Sequence, residues 1–186
     1  MFIMIVELVA SRLIAKYLGA SLYTWTSIIG IILAGISLGN YVGGRLADRF
    51  TVSKLLAVEL LIGALACFCL SMLNDFFGNL SVLVNIENWP TRIAFHITFT
   101  FLLPATMLGT IGPAAAKMAL DLGRSTGRTL GNVYAWGAVG SIIGTFLTGY
   151  YLIAWYPVPT IINVVAAALT LMGLLYVLRG FILNKP

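Results

Sequence analysis

Three ionisable side chains interrupt long apolar stretches: Glu7 and Arg12 in the first, and His96, the only histidine, in a later one. A charge at the centre of a membrane helix costs about 2.5–3.5 kcal/mol on insertion scales, so such residues are functional candidates by default. Glu7 can bind a cationic group or a proton, with Arg12 as its competing counter-ion. The two lie five apart, roughly 140° around a helix, and do not share a face. The alternative is a structural ion pair tying the first helix to its neighbours. His96 has no companions at metal-ligand spacing, so a packed, satisfied histidine competes with a proton relay. Glu59, about one turn into another apolar run and five residues after Lys54, reads as an interfacial carboxylate pairing with that lysine. No nucleophile–base pair, metal set or glycine-rich cofactor loop is visible, so the sequence predicts no enzyme, no cofactor, no metal and no nucleic-acid partner.

The elements that must position these groups are membrane helices. Of 186 residues, 60% are hydrophobic and only 9% charged, with a mean hydropathy of +1.01. Soluble domains carry about 25% charged residues, so this chain needs a lipid bilayer as its solvent. At roughly 20 residues per span it holds six helices in one domain over residues 1–186, at about 2–17, 25–43, 53–73, 91–112, 129–151 and 158–179. Gly19 to Thr24 makes a tight turn, and Ser53 is placed to cap the third helix. Asn74 to Pro90 is the longest connection, with Trp89 as an interfacial anchor. Pro104 interrupts the fourth helix, which ends near Gly112-Pro113. Cys67 and Cys69, two apart on a helix, point in different directions and read as core residues.

With the N-terminus inside, the inner loops and C-terminal tail hold Arg45, Arg49, Lys54, Lys117, Arg124, Arg128, Arg179 and Lys185, against Arg92 alone outside. That bias puts both termini in the cytoplasm. Helices two and five are glycine-rich, with Gly35, Gly39 and Gly43, then Gly140 and Gly144, every fourth residue. Such spacing lets backbones approach closely in lipid. Helices one and four carry the polar groups; three and six are nearly all aliphatic. Polar, glycine-rich, aliphatic, repeated twice, fits a three-plus-three inverted repeat. Tyr17, Tyr23 and Trp25 cluster at the outer ends, where an aromatic belt and a cation cage compete as explanations. Asn40, Asn132, Tyr134 and Trp136 are interior candidates, with helix–helix hydrogen bonds as the default.

Gly43 to Phe50 reads GGRLADRF, which resembles the signature loop between the second and third helices of major facilitator transporters. The resemblance implies a cytoplasmic gate element at Gly44, Arg45, Asp48 and Arg49. It stops at Phe50, where Thr51, Val52, Ser53 and Lys54 replace the family's glycine and basic pair. Two longer segments, Glu7 to Arg49 and Gly127 to Ile153, look like the membrane domain of bacterial membrane-fused spermidine synthases. That domain is itself similar to half of a major facilitator transporter. The chain carries no aminopropyltransferase domain, so catalysis is not carried over. The expectation is a half-size transporter-like protein of the bacterial cytoplasmic membrane, for polyamines or other small organic cations, acting as a homo-oligomer or with a membrane partner. The alternative is a non-transporting anchor or accessory subunit of a larger complex or of a separate aminopropyltransferase.

Overall fold

In hydrocarbon every backbone polar group must be satisfied within its own segment, and this chain does so with helices throughout. The computed structural model describes residues 1–122 and 125–183. Its elements are α1 (Phe2–Leu18), α2 (Leu22–Arg49), α3 (Val52–Gly78), a short α4 (Ser81–Val84), α5 (Trp89–Leu120), α6 (Thr126–Phe146), α7 (Ile153–Trp155) and α8 (Val158–Leu183). Six π-helical residues, Leu147–Leu152, join α6 to α7. Among the described residues five helices are long and apolar enough to cross a bilayer: Leu22–Arg49, Val52–Gly78, Trp89–Leu120, Thr126–Trp155 and Val158–Leu178. The chain is an all-helical protein suited to multiple membrane passes. α1, with 17 residues, is about 25 Å long and falls short of that group. Arg124 and Lys185 lie outside the described residues, as does the side chain of Arg179.

Several helices outrun the lengths the sequence predicts, for local reasons. α2 continues past Gly43 to Arg49, because nothing in Gly-Arg-Leu-Ala-Asp-Arg breaks a helix and Ala47 is buried at 4% exposure. The charged signature is therefore the last turns of α2, and the connection to α3 is only Phe50 and Thr51. α3 starts from Thr51, not Ser53, without a side-chain cap. It runs on to Gly78, drawing Asn74 and Asp75 out of the expected loop. α5 passes through both Pro104 and Pro113. Membrane helices tolerate proline where neighbouring helices surround the interruption, and Pro104 is buried here. Starts follow local chemistry: Gly19 at φ 64° makes the left-handed turn out of α1, and Ser21 then caps α2 by accepting from the Thr24 amide at 3.2 Å. Asn88 caps α5 in the same way, at 3.3 Å from the Thr91 amide.

The packing centres on α5. Its face toward α2 is a seam of small residues. A Cβ added at Gly35 would stand 2.5 Å from the Ala105 Cβ, and one at Gly43 would stand 2.7 Å from the Thr110 Cα. α3 packs against α5 on one side and α8 on the other, where Gly173 would meet Leu61 at 2.9 Å if it carried a Cβ. The core between them holds Ile93, Ile97, Phe101 and Leu108 from α5, Cys67 and Leu70 from α3, and Leu169 from α8. α1 adds Val9 and Ile14, both fully buried. The helix Thr126–Trp155 is held lightly: its buried residues are Thr129, Gly144 and Thr148. Gly144 does press on α1, at 2.9 Å from the Met1 carbonyl for an added Cβ, whereas Gly137 has open space.

Candidate functional site

The C-terminal halves of α2 and α5, the middle of α6 and the segment Met1 to Ile3 border an open cavity of about 950 Å³, with Leu60 of α3 and Leu169 and Met172 of α8 also in its lining. Its wall is apolar at Leu60, Leu108 and Ile111 and polar at Asn40, Tyr134 and Ser141. At its rim the Lys117 ammonium donates to the Asp48 carboxylate at 2.8 Å, linking the last turns of α5 and α2. Gly44 also lines the cavity and leaves open space where a Cβ would stand. Arg45 folds back over the Tyr41 ring, 3.8 Å from its centroid, and Arg49 is exposed. A cation held over a ring face is favourable even at an exposed site. The four residues of the signature thus occupy one helix end, and one of them, Asp48, bridges to a second helix.

At the opposite end of the bundle stands a second polar cluster. Lys16 donates to Asp75 at 3.0 Å, and the Tyr17 hydroxyl donates to the same oxygen at 2.9 Å. Asn79 donates to the Tyr17 hydroxyl at 3.3 Å. Deeper in, the Asn74 amide donates to the Leu13 carbonyl at 3.2 Å, and His96 Nε2 meets the Asn74 carbonyl oxygen at 3.0 Å. Both side chains are almost fully buried, so the network joins α1, α3 and α5 through satisfied groups. His96 is packed and hydrogen-bonded to Asn74. Asn74 was hidden by its placement in a loop. The signal that reveals it is the buried stripe Cys67, Leu70, Asn74 and Gly78, which keeps helical spacing past Leu73.

Glu7, Arg12 and His96 are not brought together. Glu7 is half-buried on α1, outside the cavity wall, with no hydrogen bond or ion pair among the described residues. Arg12 instead donates to the Ile153 carbonyl at 3.4 Å. That carbonyl lies in the last turn before Tyr156, where helix carbonyls lack partners of their own and a cation is favoured. Glu59 differs from its expectation too. It is buried at 5% exposure, and neither carboxyl oxygen has a hydrogen-bond partner, Lys54 included. Its face of α3 is turned toward α5, as Gly63, one turn on, packs on Leu108 and Ile111. No three His, Cys, Asp or Glu side chains gather into a metal-binding group among the described residues.

The molecule therefore offers an apolar cavity with a few polar groups and one ion pair at its rim. No family model, no curated protein and no solved structure matches this chain.

Proposed function

We propose that the chain is a half-size, transporter-like bundle of six spans that completes a pathway with a second bundle, a further copy or a partner, in the bacterial cytoplasmic membrane. The observation that carries this reading is the cavity of about 950 Å³ with the Asp48–Lys117 pair at its rim. An ion pair between two helix ends is a contact that a rocking motion makes and breaks. α1 serves as the sixth span, short of the roughly 30 Å hydrocarbon core and matched by local thinning of the bilayer. A three-plus-three repeat pairs α1 with α5, α2 with the helix Thr126–Trp155, and α3 with α8. It is supported by the meeting of α3 with α8, and by Gly144 approaching Met1 at the start of α1 while Gly39 approaches the middle of α5.

The cargo class is small organic cations, polyamines included, in keeping with the likeness to the spermidine-synthase membrane domain. Asp48 is the acidic group in the cavity wall, so a cation entering there competes with Lys117. The test is uptake of labelled spermidine into vesicles holding the purified protein, with Asp48→Asn beside the parent. Saturable uptake that Asp48→Asn lowers at least several-fold supports the proposal; uptake equal to empty vesicles for both overturns it.

The second reading, an anchor or accessory subunit, is favoured by one observation. The helix Thr126–Trp155 leaves Tyr134 and Trp136 exposed at 72% and 75%, so most of its surface is free for a protein neighbour. A foreign protein purifying in fixed ratio from native membranes, without uptake activity, selects this reading.

A further inference from the structure

Glu59 is a carboxyl buried at 5% exposure, and neither of its oxygens has a hydrogen-bond partner among the described residues. The Thr110 hydroxyl faces it from α5, but that hydroxyl donates to the Met107 carbonyl at 2.8 Å. With that hydroxyl engaged there, neither Glu59 carboxyl oxygen has a hydrogen-bond partner. No base compensates. From α5, Lys117 is committed to Asp48. From α2 come Asp48 itself and the exposed Arg45 and Arg49. α8 supplies Tyr176, and α1 supplies the Met1 amine at the cavity. Lys54 on α3 is exposed. Among the described residues none of these forms an ion pair or hydrogen bond with Glu59.

We propose that Glu59 is an exchangeable-proton site whose occupancy couples the α3–α5 contact to the width of the cavity. An unpaired carboxylate in a dry interior is neutralised rather than tolerated, so the packed arrangement holds the proton. The exchange path is short, since Leu60 and Ile111, the sequence neighbours of Glu59 and Thr110, line the cavity. When water reaches the carboxyl and takes the proton, the anion needs hydration that the dry α3–α5 contact does not supply, and this separates α3 from α5. Thr110 is also where Gly43 of α2 presses, at 2.7 Å for an added Cβ. A shift there reaches both helices that carry the Asp48–Lys117 pair. The step is a plain proton transfer from the carboxyl to water, with no other co-reactant. The site concerns the proton and stands whether or not spermidine is the cargo.

The test is infrared titration of the full chain in lipid vesicles, with the parent, Glu59→Gln and Thr110→Val. The expected result is a protonated-carboxyl C=O band that fades as pH rises, is missing in Glu59→Gln, and shifts in Thr110→Val, which keeps the carboxyl and removes the hydroxyl beside it. The threonine variant keeps the test decisive if the glutamine variant does not fold. In parallel, Ser141→Cys in the cavity wall is labelled by an impermeant thiol reagent, with the parent chain's rate subtracted for Cys67 and Cys69. Labelling should quicken several-fold as the band fades and stay slow at every pH when Glu59→Gln is added. A band present at all pH values, none at any, or one abolished by sodium at fixed pH overturns the proton site. A titrating band with unchanged Ser141→Cys labelling overturns the coupling.

Discussion

Gly39 of α2 lies so close to Gly109 of α5 that a Cβ on Gly39 would stand 2.8 Å from the Gly109 Cα. The contact is backbone on backbone, with no flexible side chain to move aside. Gly39→Ala is therefore expected to lower thermal stability in detergent by the equivalent of about 1–3 kcal/mol, the usual cost of overpacking. Gly39→Leu should prevent a monodisperse folded product. Gly137→Ala, where an added Cβ meets open space, is the control and should melt with the parent. Equal melting of all three would remove the seam from the account.

The Asn74–His96 bond should report as a coupled pair. Asn74→Ala strips His96 of its partner in a buried site, a loss of about 1–3 kcal/mol. A double-mutant cycle with His96→Ala should then return a coupling of about 0.5–3 kcal/mol. Additive losses would mean that the two side chains act separately.

Glu7 and Arg12 should behave independently, because Arg12 bonds the Ile153 carbonyl and no ion pair joins the two among the described residues. Glu7→Gln is expected to leave the melting temperature within error. If Glu7 belongs to the cation path, spermidine binding falls in the same variant. A large loss of stability would instead reveal a partner for Glu7 in the assembled protein. Arg12→Gln frees the Ile153 carbonyl and should loosen the helix Thr126–Trp155 first, seen as faster amide exchange near Trp155.

Topology has its own readout. In the six-span arrangement a cysteine at position 80 and one at the C-terminus lie on opposite sides of the membrane. Labelling of both from the same side rules that arrangement out.

The glycine seam was legible in the sequence because Gly35, Gly39 and Gly43 repeat at the spacing of one helix face, and small residues at that spacing have one principal use in lipid. The partner face was less legible: Ala105 and Gly109 stand four apart, but Phe101 and Pro113 break the repeat on either side and Thr110 lies off it. Gly140 and Gly144 were read by the same rule, yet they meet only the Met1 end of α1, because a periodic pattern names a face without naming what covers it. Glu59 was misjudged for a related reason. Sequence distance put it near Lys54, while the rotation of α3 turned it inward to Thr110. Asp48 was legible through its motif, but Lys117, 69 residues away, was visible only as one more inner-side charge.

The pairing of α3 with α8 has a consequence for how the protein is made. The helices leave the ribosome in order, and α3 must wait for α5, α6, α7 and finally α8 before Gly173 can seat against Ala57 and Leu61. Until then that face of α3 is held by lipid or by the insertion machinery. Synthesis halted before Val158 yields a chain that can insert its earlier spans yet leaves this flank of α3 uncovered, a substrate for membrane quality control rather than a smaller working bundle.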